Sequence, residues 1–196
     1  MFIRTERLFL RPAWAEDAPA LTRAIAHAPV ARMLARVPWP YEESDALAWI
    51  GAPRDPLLPG LLVTIPDEGG TVIGGCGLHA GAEGAPAEVG YWITPAAQGH
   101  GYAREALSGL LAIARMAGHR HLRGRHMADN PASGRVLVAA GFRPTEAVGT
   151  CASLARGGAA PAVEYETDLA DGDPAQAGRS AWVRSDAYVA GINAAA

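Results

Sequence analysis

The amino-acid sequence predicts a mixed α/β domain of the α+β class, in which helices flank a mostly antiparallel sheet. In several stretches apolar residues recur every three or four positions, as in amphipathic helices, while others are short and rich in β-branched and aromatic residues, as in strands. Short connections join three consecutive predicted strands, which implies antiparallel pairing. A glycine-rich turn then separates a strand from a long helix. Together these observations predict a three-layer domain with a mixed sheet.

The first half of the chain predicts one strand, three helical segments and a run of paired strands. Residues 2–11 are predicted to form a strand that Pro12 ends. An apolar stripe predicts a helix over residues 17–27, which Pro29 follows. We expect a short helical segment over 30–36, a helix capped by Ser44, strands over 61–65, 71–79 and 88–94, a hairpin turn at 67–70 and a loop over 80–87.

The second half predicts two helices that alternate with strands. Leu107, Leu110 and Leu111 recur at helical spacing and predict a helix over 104–117. The remaining expected elements are a strand over 121–127, a helix over 131–140, a strand from Phe142, a loop over 150–161 and a last strand over 162–169.

Length and composition are those of one globular domain. The chain has 196 residues, of which 49% are hydrophobic and 19% charged, so it can form a single sizeable core. We expect this domain to span residues 1–170. Residues 171–196 are rich in alanine, glycine and aspartate and are predicted to be a C-terminal tail of unknown role.

Charge and hydropathy exclude several function classes. The net charge of −3 argues against non-specific nucleic-acid binding and suits a basic partner such as an amine. No apolar run approaches the roughly 18 residues of a membrane span, and charges stand where a signal peptide needs apolar residues. Two cysteines are too few for a disulfide framework. We expect a cytoplasmic protein without membrane partner, either a monomer or a homodimer.

The glycine-rich turn between residues 98 and 103 has the features of a phosphate-binding loop. Gly99 and Gly101 can adopt backbone angles closed to other residues, and the helix that follows offers unpaired amides and a positive dipole end. A Walker-type loop is excluded because no lysine is present, and a dinucleotide fingerprint lacks its third glycine at Arg104. We expect this turn to bind a pyrophosphate.

Two segments resemble the GNAT superfamily of N-acetyltransferases. Gln98, Gly101 and Ala103 form a Gln-x-x-Gly-x-Ala pattern similar to the acyl-CoA loop of that superfamily. Asn130 and Ser133, followed by glycine and phenylalanine at 141–142, resemble its last catalytic-core segment. More narrowly, residues 5–12 and 88–92 resemble the branch with the Rim-type ribosomal-protein N-terminal acetyltransferases. The resemblance covers residues 5 to about 145.

This resemblance implies a GNAT-like fold whose sheet opens beside the strand that begins at Glu88, where the CoA arm inserts. It implies acetyl-CoA as co-substrate and a primary amine as acceptor, with direct transfer of the acetyl group in a ternary complex. The acceptor is a protein N-terminus if the Rim-type resemblance holds. The alternatives are acetylation of a small molecule, such as an antibiotic, polyamine or amino acid, and a non-catalytic domain that binds or senses acyl-CoA.

The resemblance also assigns residues to the cofactor. The matching strand binds the thioester through its backbone, the turn binds the pyrophosphate, and Asn130 suits the amides of the pantetheine arm. Asn130 is alternatively the cap of the helix that follows. The predicted cofactor-binding residues are Trp92, Ile93, Thr94, Gln98, Gly99, His100, Gly101, Tyr102, Ala103, Asn130 and Ser133.

Glu88 and Ser133 are the predicted catalytic residues. Glu88 starts the thioester strand and can accept the proton of the amine, directly or through a water; the alternative is a structural salt bridge. Glu83 and Glu68 are weaker candidates. Many relatives carry a tyrosine where this chain has Leu137, so Ser133 remains as the hydroxyl that can protonate the thiolate. Alternatively, Ser133 caps the helix or contacts CoA, and the thiolate leaves to solvent.

Three aromatic residues, Trp39, Tyr41 and Trp49, are predicted to line the acceptor site, as the corresponding connector does in relatives; core packing is the alternative. No metal site is expected. His119 and His121 lie across a predicted helix–strand junction without an acidic or cysteine partner nearby in the sequence.

Overall fold

The computed structural model describes residues 1–82 and 84–169, and the fold of this part is a single sheet with helices on both faces. Its helices are α1 (Ala18–Ile25), α2 (Ala28–Ala31), α3 (Glu43–Gly51), α4 (Tyr102–Met116) and α5 (Pro131–Ala139). Its strands are β1 (Ile3–Arg4), β2 (Phe9–Arg11), β3 (Gly60–Ile65), β4 (Thr71–His79), β5 (Ala87–Ile93), β6 (His121–Met127), β7 (Arg143–Ser153) and β8 (Gly158–Asp168). The predicted tail over 171–196 lies outside the described residues.

The described sheet has eight strands in the order β1-β2-β3-β4-β5-β6-β8-β7. All neighbours pair antiparallel except β5 and β6, which are parallel. The predicted fold class, with its mixed and mostly antiparallel sheet, is therefore confirmed.

The sheet opens between β5 and β6. Their parallel pairing extends only over Ala87–Val89 and Leu122–Gly124. Beyond Val89, β5 stays paired with β4 and β6 stays paired with β8, so each strand continues without the other. This opening lies at the position that the resemblance implies.

Two hydrophobic cores fill the two sides of the sheet. Leu107, Leu110 and Ile113 of α4 are fully buried against residues of β2 to β6. Leu21 and Ile25 of α1 pack with α3 on the opposite face. Among the described residues, no helix combines the length and the apolar character needed to cross a membrane.

The predicted single strand over residues 2–11 is wrong. The chain reverses after Arg4 and returns as β2, so that Ile3 opposes Leu10. The Thr5 hydroxyl accepts the amide hydrogen of Leu8 at 3.1 Å, and the Thr5 amide donates to the Leu8 carbonyl at 2.9 Å. This side-chain bond closes a turn that alternation of apolar residues could not indicate.

The predicted loop over residues 150–161 is also wrong, because this stretch contains the turn of a β-hairpin and the strand ends on both sides of it. β7 continues to Ser153, and β8 starts at Gly158 after Gly157 with a φ of 71°. The small residues Ala160 and Ala162 are buried beside Cys151. Small side chains without clear alternation concealed a strand pair that the neighbouring chain segments stabilise.

Several helix ends differ from the prediction. α3 begins at Glu43, with Glu42 as N-cap and the Asp45 carboxylate accepting the Glu42 amide hydrogen at 2.9 Å; the predicted Ser44 cap is wrong. Pro29 lies in the first turn of α2 rather than at the end of α1. α4 begins two residues before the predicted start, directly after Gly101.

Candidate functional site

The glycine-rich turn leads directly into α4. Gly99 and Gly101 both have a φ of 81°, which other residues rarely adopt. The first helical hydrogen bond joins the Glu105 amide to the Gly101 carbonyl at 3.1 Å. The amides of residues 102–104 therefore precede the helical ladder and are free to bind an anion. No atom lies within 4 Å of a Cβ built on Gly99, so the approach to this turn is open.

Arg7 and Glu105 hold the turn in place. Arg7 donates to the His100 carbonyl at 3.0 Å and pairs with Glu105 at 2.7 Å. The Glu105 carboxylate also accepts the Thr5 hydroxyl at 2.6 Å. Burial opposes ionisation of Glu105, but the hydrogen bonds from Thr5 and Arg7 outweigh it and lower the pKa of this carboxyl. Sequence reasoning missed Arg7 and Glu105, whose interaction only the fold creates.

The end of β5 directs backbone groups into the opening. The Thr94 amide donates to the Ile73 carbonyl of β4 at 2.8 Å. Because backbone groups alternate along a strand, those of Ile93 and Tyr91 point to the other edge, where β6 has separated. The Gln98 side chain donates to the Ile93 carbonyl at 2.9 Å. The Ile93 and Tyr91 amides therefore face the opening beyond the end of the β5–β6 pairing.

The start of α5 borders the same opening. Asn130 is the N-cap residue of α5, as the alternative prediction states, although its side chain makes no capping hydrogen bond. The Ser133 hydroxyl lies 2.8 Å from the Tyr91 hydroxyl. Leu137 is 1% exposed and approaches Gly124 of β6, so it belongs to the core. Sequence reasoning did not assign Tyr91 to the site.

Glu88 lies on the opposite face of β5. Side chains alternate along a strand, so Glu88 shares its face with Trp92, which packs with the core beneath α1. The Glu88 carboxylate pairs with Arg125 of β6 at 2.8 Å, with a quarter of its side chain exposed. A cavity of about 300 Å³ is lined by Glu88, Arg125 and the Arg123–Glu164 ion pair. Glu88 therefore forms the salt bridge that the sequence analysis gave as the alternative to a catalytic role.

The three predicted acceptor aromatics occupy different environments. Trp39 is 45% exposed, whereas Tyr41 is 9% exposed and packs in the core with α1 and α3. Burial raises the pKa of Tyr41 to about 12. Trp49 is half-buried, with the Arg54 guanidinium 4.2 Å from its ring centre. Of these three residues, Trp39 and Trp49 are partly exposed, whereas Tyr41 is buried.

The weaker base candidates do not extend the site. Glu68 is exposed in the turn between β3 and β4, at the opposite end of β4 from His79, which pairs with Glu88. Glu83 lies outside the described residues.

His121 has an acidic partner that is distant in the sequence. β6 and β8 pair with His121 opposite Asp168, and the two side chains are 2.5 Å apart. Residues 47 positions apart in sequence meet because of strand register, which residue spacing could not predict. His119 instead contacts the Leu57 carbonyl at 2.8 Å. In the described part of the chain, no group of three histidine, cysteine or acidic residues could hold a metal ion.

Comparison with known proteins identifies one family. Residues 7–143 match the family model described as an acetyltransferase (GNAT) domain. No curated protein matches the sequence at a significant level.

Solved structures share the fold at low sequence identity. A GNAT-family acetyltransferase from Bacillus anthracis is 20% identical with a TM-score of 0.72; the match covers 86% of this chain and 98% of that chain. RimL, a ribosomal-protein alpha-N-acetyltransferase solved with coenzyme A, is 20% identical with a TM-score of 0.67; the match covers 86% of this chain and 98% of RimL. MccE, a microcin self-immunity acetyltransferase solved with acetyl-CoA and AMP, is 17% identical with a TM-score of 0.69; the match covers 84% of this chain and 94% of MccE.

Proposed function

Because the chain belongs to the acetyltransferase (GNAT) family, we propose that it transfers an acetyl group from acetyl-CoA to the amino terminus of a protein. The observation that supports this proposal most is the opening between β5 and β6, with the glycine-rich turn at one end and Ser133 at its side. RimL, which shares the fold, acts on a ribosomal protein, in line with the Rim-type resemblance of the sequence.

The turn and the opening are suited to the two parts of acetyl-CoA. In our proposal, the amides of Gly99 to Ala103 bind the pyrophosphate, with His100 and Tyr102 beside them. The Asn130 side chain, which makes no capping bond, binds the pantetheine amides. The Ile93 amide donates to the thioester carbonyl. Trp92 and Thr94 keep this part of β5 paired with β4, and the Gln98 side chain donates to the Ile93 carbonyl.

Direct transfer requires two proton movements. The amine nitrogen attacks the acetyl carbon, so a C–N bond forms, the C–S bond breaks and the electron pair stays on sulfur. In our proposal, Glu88 accepts the proton of the amine, directly or through a water, and the Ser133 hydroxyl gives its proton to the thiolate.

Glu88 and Ser133 lie toward opposite faces of β5, which supports a ternary complex. An acceptor that arrives from the α1 and α3 side meets Glu88, while the sulfur lies toward α5 and Ser133. The Arg125 ion pair restrains the Glu88 carboxylate, so proton transfer proceeds through a water or after the pair opens.

The surface near α3 favours a protein acceptor. Trp39 and Leu47 leave about half of their area exposed, although both are large and apolar. In our proposal these two residues belong to the surface that receives the acceptor chain, since contiguous exposed apolar area marks protein-binding surfaces. Trp49, whose ring is contacted by the Arg54 guanidinium, is proposed to line the same surface, and Tyr41 is buried in the core against which Trp49 packs.

A small amine is the second candidate acceptor. The cavity beside Glu88 has a volume of about 300 Å³, which is at the lower end of the range for small-molecule sites. Peptides with free and blocked amino termini, polyamines and amino acids would be compared by thiol release and mass spectrometry. Turnover with small amines alone would overturn the protein acceptor, and acetyl-CoA binding without any turnover would favour a non-catalytic domain.

The test of Glu88 uses Glu88→Gln beside Arg125→Gln as a matched control. Both substitutions break the same ion pair, but only Glu88→Gln removes the proton acceptor. We expect Glu88→Gln to lower kcat by about 10²-fold or more, with acetyl-CoA affinity unchanged. Arg125→Gln should retain kcat within a few fold. Equal losses in both variants would assign Glu88 a structural role.

A further inference from the structure

Tyr91 connects β5 to α5 beside the opening of the sheet. Its hydroxyl lies 2.8 Å from both the main-chain carbonyl oxygen and the hydroxyl oxygen of Ser133. The contact joins residues 42 positions apart, just beyond Val89, where the β5–β6 pairing ends. The phenol is therefore in hydrogen-bond contact with the hydroxyl proposed to protonate the sulfur.

The environment keeps Tyr91 protonated. Burial, partly offset by the hydrogen bond with Ser133, raises the pKa of Tyr91 to about 12. The phenol consequently remains a hydrogen-bond donor throughout the neutral pH range. It has a single hydrogen, which can be given to the Ser133 carbonyl or to the Ser133 hydroxyl oxygen.

These two arrangements have different consequences for Ser133. When Tyr91 donates to the carbonyl, the Ser133 hydrogen is occupied by the phenol oxygen. When Tyr91 donates to the hydroxyl oxygen, the Ser133 hydrogen is free to point into the opening. A small rotation of the phenol hydrogen thus changes the direction of the serine proton without moving a heavy atom.

We propose that Tyr91 is a positioning residue that directs the Ser133 proton to the thiolate of coenzyme A. This inference rests on the proposed function. As the Ser133 proton moves to sulfur, the Tyr91 hydrogen bond stabilises the negative charge that forms on the serine oxygen. Ser133 then regains a proton from solvent while Glu88 releases the amine proton to solvent, so the two proton movements cancel and both residues return to their starting states. No net proton leaves Tyr91, and the products are the thiol and the acetylated amine.

The other residues considered for this role, Leu137 and Tyr165, have different environments from Tyr91. Leu137 occupies the position of the tyrosine found in many relatives, and it is buried in the core. Tyr165, which approaches the same turn of α5 at Gly134, lies 3.2 Å from the His126 ring. Among the described residues, Tyr91 is the phenol for which a contact with the Ser133 hydroxyl is observed.

The test is a double-substitution cycle with Tyr91→Phe, Ser133→Ala and the double variant. Phenylalanine retains the ring and removes only the hydroxyl. We expect Tyr91→Phe to lower kcat about tenfold or more, with the acetyl-CoA Kd unchanged within about twofold. The double variant should be no slower than Ser133→Ala, because the tyrosine acts only through the serine.

A conservative variant separates positioning from structural support. Ser133→Thr keeps a hydroxyl, so it should restore part of the kcat lost in Ser133→Ala when Tyr91 is present and none of it in the Tyr91→Phe background. A decrease in stability alone cannot make the rescue by Ser133→Thr depend on the Tyr91 hydroxyl. If Tyr91→Phe folds poorly, the comparison of Ser133→Thr with Ser133→Ala in the presence of Tyr91 still tests whether the serine hydroxyl acts in catalysis.

Each outcome decides a separate point. Multiplicative losses in the double variant, or an unchanged kcat in Tyr91→Phe, would overturn the inference and leave the acetyltransferase proposal intact. An unchanged kcat in Ser133→Ala would rule out Ser133 as the general acid and would overturn the inference about Tyr91. Absence of turnover in the unsubstituted protein on every acceptor would instead overturn the proposed function.

Discussion

Single side chains connect distant parts of this chain to the site. Glu105 receives hydrogen bonds from Thr5 and from the Arg7 amide, which lies 98 residues away. The Arg7 guanidinium also lies 4.7 Å from the Tyr102 ring centre. One carboxylate therefore fixes the turn between β1 and β2 against the glycine-rich turn, and the first strand pair borders the candidate site.

A second ion pair stabilises the fold away from the site. Arg11 and Asp17 form two hydrogen bonds of 2.7 Å, and the Asp17 carboxylate also accepts the Trp14 amide at 2.8 Å. The hydrogen bond from Arg11 lowers the pKa of Asp17 below 3.8, its ordinary value. Its contribution is therefore present above pH 3.8 and is lost as the pH falls through the folded-state pKa.

We predict that Asp17→Asn lowers the free energy of unfolding by about 1–3 kcal/mol at pH 7, because charged hydrogen bonds are lost. The difference from the unsubstituted protein should shrink as the pH falls below about 4, because the Asp17 carboxyl becomes protonated first in the unfolded state and, at lower pH, in the folded state. Urea denaturation at pH 7 and pH 3 measures both effects. Asp67→Asn is the control, since Asp67 is 88% exposed in its pair with Arg4; equal losses in both variants would contradict the prediction.

At the scale of elements, α4 begins directly after Gly101, whose backbone has a positive φ. Gly101 has a φ of 81° and precedes the helix, while Gly118 has a φ of 89° just after its end. Neither position has an atom close enough to clash with an added methyl group. Alanine should therefore be strained at both positions for the same conformational reason, about 1–2 kcal/mol.

We predict that Gly101→Ala raises the acetyl-CoA Kd about tenfold, whereas Gly118→Ala leaves it unchanged. The reason is that relief of strain at Gly101 moves the amides proposed to bind the pyrophosphate. Calorimetry measures the Kd, and chemical denaturation measures the stability loss expected in both variants. A similar Kd in the two variants would remove the turn from the binding site.

A second prediction at this scale concerns β5. The amides of Ile93 and Tyr91 face the opening, while the Thr94 amide is bonded to Ile73 of β4. Acetyl-CoA should slow hydrogen exchange at Ile93 and Tyr91 and change Thr94 little. Exchange measured by NMR with and without acetyl-CoA tests this. Uniform slowing along β5 would indicate general stabilisation in place of direct contact.

At the scale of the whole molecule, the binding site joins both sides of the sheet. The turn before α4 and the start of α5 lie on one side, and Glu88 with its cavity lies on the other. In the proposed complex, acetyl-CoA lies in the opening between β5 and β6, which separates these two groups of residues. A ligand in this opening contacts elements that unfolding would separate.

We therefore predict that acetyl-CoA raises the melting temperature. At a concentration of 100 times the Kd, binding to the folded state alone contributes about 2.7 kcal/mol. Thermal denaturation with increasing acetyl-CoA measures the shift, and Gly101→Ala should need more ligand for the same shift. No shift at any concentration would contradict binding at this site.

The sequence predicted most elements because their cause is local. The strands over 71–79 and 121–127 and the hairpin that joins β3 to β4 match the structure closely. The turn at 98–103 was predictable because glycine conformation and helix ends act within a few residues. The hairpin of β7 and β8 was not, since its small residues are buried only by distant segments.

The sequence by itself determined the fold class, the position of the glycine-rich turn proposed to bind phosphate, and the candidate residues Glu88, Asn130 and Ser133. Only the tertiary structure decided their partners: Arg125 for Glu88, Tyr91 for Ser133, and Arg7 with Glu105 for the turn. The physical reason is that local backbone preferences are encoded in neighbouring residues. Side-chain contacts across the sheet depend on strand order and register, which form only when the whole chain folds.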